Sequence, residues 1–447
     1  MRRRAAPAKL PPMRFLLAAA CLALPLPAAA QAIPDEEHYA EEVQATAQDP
    51  RVRAALRALD GMRARSNADL VAITEVPAPP FAEGPRAALV ADRLSETGFG
   101  TVTTDEAGNV VARRAGRTGE RTIAVLAHLD TVFPEGTDVR VRREGDTFIA
   151  PGIGDNSRGV VVLLELARAF EAGGLKTDAD LLLVANVGEE GLGDLSGVRH
   201  LFREGAAPIS ALIAVDGGDP ARLVTDAVGS KRYEVRYEGP GGHSWSDFGA
   251  PNPHHASARA VQLLDDLGGV LAREASAKVS YNVGLVSGGT SVNSIPYESA
   301  FLVDLRSGDP GALAEMDAVL GEAARQALAE ENEDRAPGTE PLTLTLTPVG
   351  DRPAGRGDRA APLVQRAAAA LRRTGLTPEP AASSTDANIP LSLGVPAVTM
   401  SRGGISEGAH SREERWTDRN SQRATEAILL TLLAEGGLAG ARRERGD

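Results

Sequence analysis

The chain has 447 residues, 43% of them hydrophobic and 24% charged, with a formal net charge of −13 and a single cysteine. That length exceeds one ordinary core and implies two or three domains, or one domain with a large insertion; the acidic balance excludes the basic footprint of a nucleic-acid-binding protein. One cysteine can form no intramolecular disulfide and no thiolate cluster, so any metal must be held by His, Asp and Glu, which favours a catalytic over a structural site.

A basic stretch opens the chain (Arg2, Arg3, Arg4, Lys9 and Arg14), followed by an apolar run at 15–27 and the small residues Ala28-Ala29-Ala30-Gln31-Ala32. This is the order of a secretory signal peptide, and the run is too short for a comfortable membrane span. Residues 1–32 are expected to be removed and the protein to be periplasmic or secreted. Cys21 behind Ala18-Ala19-Ala20 adds a weak lipoprotein-like pattern. Cleavage near Ala30 or Ala32 would leave no cysteine and a chain five charges more negative.

Residues 33–60 have helical character, and 66–98 read as a helix pair interrupted at Pro77, Pro79 and Pro80. Val-, Leu- and Ile-rich runs at 122–127, 181–187, 211–215 and 397–400 read as buried strands, and 159–170 as an apolar helix. Their alternation predicts an α/β layer, a mostly parallel sheet with helices on both faces. Near residue 230 the pattern changes. Residues 231–238 alternate polar and apolar, as a half-exposed antiparallel strand does. A helix (256–273), two strands (281–286 and 301–306), a helix (311–330) and a strand (342–348) follow. This β-α-β-β-α-β order predicts a small α+β domain at 230–349, inserted between catalytic segments at 33–229 and 350–440. A charged, disordered tail is expected at 441–447.

Four polar clusters adjoin the apolar runs: His128-Leu129-Asp130, Gly154-Asp155-Asn156, Glu189-Glu190 and Asp216. Singly each has an ordinary explanation. His-x-Asp is common, paired glutamates usually line a solvated helix, Asp155 could cap a helix, and Asp216 before two glycines could make a turn. Together they gain weight, because ligands in open α/β sheets bind at the carboxyl ends of the strands. So many anions in one cleft would repel one another, and divalent cations would resolve the conflict.

His128-Leu129-Asp130-Thr131-Val132, Gly154-Asp155-Asn156, Gly188-Glu189-Glu190-Gly191 and Ala409-His410-Ser411 resemble, in order and over nearly the whole mature chain, the zinc metallopeptidase family of peptidase T, glutamate carboxypeptidase, carnosinase and the acetylornithine and succinyl-diaminopimelate deacylases. The resemblance implies a site for two zinc ions, with cobalt or manganese as substitutes. Asp155 would bridge both ions, His128 and Asp216 would complete one site, and Glu190 and His410 the other. Asp130 would orient His128, and Glu189 would be the general base. It also implies that 230–349 is a lid or dimerisation domain, through which a homodimer could form. In that domain His243 would reach a catalytic centre, Asn293 would contact substrate, and Arg306 would bind a substrate carboxylate. Asp386 and Gly403-Gly404 resemble further positions near the substrate. The chain departs from the family at Asn156-Ser157-Arg158, where relatives often carry Lys or Met, and the family often has a cis peptide after the bridging Asp. The expected substrates are small peptides or N-acyl amino acids: exopeptidase action leads, deacylation or carboxypeptidase action is the close alternative, and a non-catalytic zinc-binding protein is remote, since every ligand position and the base are filled.

Overall fold

The computed structural model describes Ile33 and residues 36–440; the signal-peptide reading of 1–32, Cys21 and the tail at 441–447 lie outside the described residues. Among these, no helix is long and apolar enough to cross a membrane.

The N-terminal helical region resolves into Glu37–Gln48 and Pro50–Gly61. Asp49 separates them: its side chain accepts the Arg51 amide at 2.8 Å and Pro50 takes the first helical position, where its missing N–H costs nothing. Helices Arg63–Thr74 and Gly84–Ser95 follow, with the three prolines between them.

The apolar runs build one face-to-face core. Strands Asp180–Asn186, Thr122–His128, Ala211–Val215 and Ala397–Met400 lie side by side and parallel in a nine-stranded sheet. The flanks are mostly antiparallel: the hairpin Thr101–Thr104 and Val110–Arg114 on one side, and Arg222–Ala227 with Gly355–Arg356 on the other, where Glu379–Ser383 adds a parallel partner to Arg222–Ala227. Side chains alternate between faces, as strand geometry requires. Ile123, Val125 and Ala127 join a large core with the helices Gly159–Gly173 and Gln422–Gly436. Ala124 and Leu126 join a smaller core under the short helices Ser196–Leu201 and Asn388–Ser392. Both faces are covered, which accounts for strand interiors that are almost wholly apolar.

A second layered unit follows. Strands Gly229–Glu238, Val279–Gly288, Glu298–Ser307 and Thr343–Arg352 form an antiparallel sheet, with Val279–Gly288 and Thr343–Arg352 at its edges. Helices Pro253–Glu274 and Pro310–Glu333 pack on it around Val235, Tyr237, Phe301, Leu305, Leu264 and Met316, a core separate from the first. Both helices begin on a capping side chain followed by proline, Asn252-Pro253 and Asp309-Pro310. The last strand runs beyond the expected end at Pro348: a register shift between Pro348 and Gly350 absorbs the missing N–H, and pairing resumes to Arg352.

A small sheet that the sequence reading missed joins Ile405–Glu407, Arg415–Thr417, Thr147–Ile149 and Arg142–Glu144. Its strands have three residues each, too few to show a period.

Candidate metal centre

Because the four central strands are parallel, their carboxyl ends share one edge. His128 ends its strand opposite Asn186, and Val215 lies opposite Met400. The loops beyond carry Asp130, Glu189, Glu190, Asp216 and Arg402 to that edge.

His128 is 1% exposed. Its Nδ1 lies 3.0 Å from the Asp130 carbonyl and 3.6 Å from the Asp130 carboxylate, and its Nε2 lies 3.3 Å from Asp155 Oδ1. The Asp130 main-chain oxygen is the nearer partner of the ring, with the carboxylate beside it. The carboxylate itself accepts the amides of Glu189 (3.0 Å) and Glu190 (2.6 Å), tying the Glu-Glu turn to the histidine strand. Gly188 opens that turn with φ +65, and a Cβ there would lie 2.1 Å from Ser196 Oγ; only glycine fits.

Asp155 faces two histidines. Its Oδ1 lies toward His128, and its Oδ2 lies 3.4 Å from His410 Nε2. The Asp155–Asn156 peptide is cis. Asp155 does not cap the following helix; Asn156 Oδ1 accepts the Gly159 amide at 3.1 Å, and Asn156 Nδ2 donates to the Val215 carbonyl at 2.8 Å. From below, the buried Glu414 carboxylate accepts the amides of Gly152 (2.8 Å), Gly154 (3.1 Å) and Asp155 (2.8 Å). Arg158, one of the departures from the family pattern, is buried and paired with Glu165 at 2.9 Å.

Asp216 shares Arg402 with Asp155: one Nη1 lies 2.9 Å from Asp216 Oδ1 and 3.1 Å from Asp155 Oδ1. On the other side, Glu190 Oε1 lies 3.0 Å from His410 Nε2. Glu189 makes a buried ion pair with Arg352, Oε1 to Nη1 at 3.0 Å, and its carbonyl accepts from Nη2 of the same guanidinium. Asp386 is buried with Oδ2 2.8 Å from Asn186 Nδ2, and burial pushes its carboxyl up to about 7.

The lid candidates stand apart. His243 is exposed, with its amide on Asp247 Oδ2 (2.7 Å) and its Nδ1 accepting from the Trp245 amide (3.2 Å). Asn293 Oδ1 accepts from Ser291 Oγ at 2.9 Å, and the Asn293 carbonyl accepts the Ser244 amide at 3.0 Å. Arg306 turns its Nε to Asp304, 2.7 Å away on its own strand. Arg352, Arg402 and Glu414 were not singled out in the sequence. The available signal was a charge bracketed by small residues and glycines, as in Ser401-Arg402-Gly403-Gly404.

The donors suit a cation. Two three-residue groups share Asp155: His128 with Asp155 and Asp216, and Asp155 with Glu190 and His410. A third sets Glu189 with His128 and Glu190, and the donor atoms within each lie within 4.8 Å of one another. Buried His128 Nε2 makes no hydrogen bond. Burial disfavours a charged His128, but Asp130 and Asp155 outweigh it and hold its proton well above the usual histidine range. His410 is raised to about 10 by Asp155 and Glu190. Burial pushes Glu189 and Asp216 upward. The pocket concentrates negative charge and retains protons that a divalent cation would displace, and nitrogen and oxygen donors without sulfur suit zinc, cobalt or manganese.

Residues 124–434 match the family described as peptidase family M20/M25/M40. An acetylornithine deacetylase of Myxococcus xanthus is 30% identical over 363 residues, 76% of this chain and 89% of that protein. A probable carboxypeptidase of Aspergillus oryzae is 28% identical over 226 residues, a match spanning 46% of this chain and about half (53%) of that protein's length. In fold the chain is similar to aminopeptidase PepT of Bacillus cereus, with a TM-score of 0.66 at 18% identity over 83% of this chain and 98% of that one.

Proposed function

The chain belongs to the peptidase family M20/M25/M40, and from that membership we propose a hydrolase of small amide substrates that works with two divalent cations, zinc in the first instance. The observation that carries the two-ion reading is Asp155, whose Oδ1 faces His128 at 3.3 Å and whose Oδ2 faces His410 at 3.4 Å. His128, Asp155 and Asp216 would hold one ion, and Asp155, Glu190 and His410 the other. When bound, such ions supply Lewis acidity and lower the pKa of a nearby water.

The chain's own residues do the rest. Glu189 takes a proton from the attacking water as its oxygen bonds to the amide carbon. It passes that proton to the leaving nitrogen as the C–N bond breaks, giving an acid and an amine. Asp130 keeps Glu189 and Glu190 pointing apart by fixing both amides. His243 would bring a donor to the oxyanion from the lid, Asn293 a substrate contact and Arg306 a carboxylate clamp; all three require the lid to approach the site. Exposed Leu285 and Val286 on the edge strand Val279–Gly288 support pairing of two lids in a homodimer. The N-terminal sequence supports a periplasmic or secreted site of action.

The substrate is an exposed end of a di- or tripeptide in the leading reading. The acetylornithine deacetylase relative, matched over most of its length, supports N-acyl amino acids as the second. Turnover of a panel of free dipeptides, tripeptides and N-acetyl amino acids, with zinc, manganese or cobalt added, separates them. Cleavage of free-amino peptides supports the first, and cleavage only of N-blocked substrates supports the second. No turnover across the panel with both ions bound would count against hydrolysis of small amides.

A further inference from the structure

We propose that Arg352 is a positioning residue for Glu189, and that the loop carrying Glu189 and Glu190 is stapled to the hinge of the lid, so that lid orientation and the placement of the base are set together. The inference rests on the reading of Glu189 as the base and adds a residue and a mechanical link to it.

The chain enters the lid through Gly229–Glu238 and leaves through Thr343–Arg352. These strands pair at the hinge, Ser230 with Arg352 and Lys231 with Asp351. Both reach into the loop between Asp180–Asn186 and Ser196–Leu201. From the exit strand, Arg352 holds Glu189 twice, through Oε1 at 3.0 Å and through the carbonyl. Its neighbour Asp351 donates its amide to Asp194 Oδ1 at 3.0 Å, while Arg199 donates to the Asp351 carbonyl. From the entry strand, Arg232 Nη1 donates to the Gly191 carbonyl at 2.5 Å. Asp194 and Leu195 have φ of 51 and 62, a region non-glycine residues occupy only when contacts impose it.

On the other side of the cluster the bonds that hold the donors run within the first layered unit rather than to the hinge strands. Asp155 and Asp216 are held by Glu414, Arg402 and the Asn156–Val215 bond, and His128 by Asp130. A lid rotation about the hinge therefore acts first on Glu189 and Glu190, and reaches the remaining donors only through the Asp130 and His410 contacts. Arg352 is 5% exposed. A planar guanidinium that grips both the carboxylate and the carbonyl of one residue fixes that residue's main chain and side chain at once. By engaging Oε1, it leaves Glu189 Oε2 as the oxygen that receives the proton.

The test uses the full chain loaded with zinc: Arg352→Met, Arg352→Lys, Asp194→Ala and, as a control on the base, Glu189→Gln. Hydrogen exchange of 188–195 is followed beside metal content, kcat and KM on whichever dipeptide or N-acetyl amino acid the wild type cleaves. Arg352→Met should keep its metal and exchange faster at 188–195 but not at 152–155. It should lose about 10- to 100-fold in kcat, the scale of a hydrogen bond to a charged group, with little change in KM. Arg352→Lys should recover part of the loss, and Asp194→Ala should move exchange and kcat the same way by less, which keeps the test alive should Arg352→Met not fold. Unchanged exchange, or wild-type kcat in Arg352→Met beside an inactive Glu189→Gln, overturns the staple alone. A fully active Glu189→Gln overturns the base assignment instead.

Discussion

The two halves of the donor cluster share Asp155 and differ in almost everything else. The inner half, His128 and Asp216, grows out of buried parallel strands; its imidazole is 1% exposed, and its carboxylates already face the Arg402 guanidinium. The outer half, Glu190 and His410, sits on loops. The His410 side chain is 54% exposed and its backbone lies at φ 66, which a non-glycine residue seldom adopts. The sheet fixes the inner half before any cation arrives, whereas the outer half depends on turns that must be held by other means. On the proposed reading, a cluster built this way would separate binding from reactivity: the buried half would anchor, and the more exposed half, next to Glu189, would meet substrate.

The sharpest way to break this division is Glu189→Gln. If Glu189 works on protons, kcat should fall by about two to four orders of magnitude, while metal content stays at the wild-type value by elemental analysis. Because Glu189 also forms a donor group with His128 and Glu190, loss of an ion from this variant would move Glu189 into the outer half as a ligand. Asp130→Asn probes the join between halves. The Asp130 carboxylate lies 3.6 Å from the His128 ring and accepts the amides of both glutamates, so the change should weaken metal affinity or activity about 10- to 100-fold, as loss of a ligand's supporting partner does. Dialysis against a graded chelator reads both halves: if two ions bind as proposed, the one between Asp155, Glu190 and His410 should leave first, and His410→Ala should hasten its departure without moving the inner one.

How far the sequence reached follows from the same contrast. The sheet was legible because strands buried on both faces need unbroken Val, Leu and Ile, and 122–127 and 211–215 supply it. The residues at their ends, His128 and Asp216, were legible for the same reason, since strand order alone carries them to one edge. The residues that hold Asp155 and Asp216 in place were not. Glu414 and Arg402 act through burial and through bonds to residues about 185 to 260 positions away, and no local period announces that. Arg352 is hidden by Pro348: a residue without an N–H marks a strand end in the sequence, and the register shift that carries the strand on to Arg352 is a tertiary event. The second sheet was readable from alternation at 231–238, but whether His243 and Asn293 reach the donor cluster depends on how that unit is oriented, which a pattern does not encode.

Glu414→Gln tests whether the shared residue is held from below. The carboxylate accepts three backbone amides around Gly152–Asp155, and the glutamine keeps the size but replaces one acceptor oxygen with a donor. About 1–3 kcal/mol of stability should be lost, seen as a lower midpoint in denaturant, and both ions should bind more weakly, because Asp155 belongs to both halves. Weakening of the outer ion alone would mean that the inner half is independent of this loop.

The smallest effect is expected in the lid. Arg306 now pairs with Asp304 two residues away, and its side chain is 41% exposed. An ion pair so open to water contributes about 1 kcal/mol at most, so Arg306→Ala should leave the unfolding midpoint almost unchanged. Its consequence belongs to substrate: if the guanidinium exchanges Asp304 for a substrate carboxylate when the lid approaches, KM should rise for substrates with a free carboxylate and stay level for their amides, with kcat little altered. Equal KM for acid and amide in the wild type would leave Arg306 as a strand ion pair, and would place carboxylate recognition, if the enzyme has any, elsewhere. Arg412 is then the natural next residue to change: it has no hydrogen-bond or ion-pair partner among the described residues, and it lines a cavity of about 710 Å³ two positions beyond His410 in the chain.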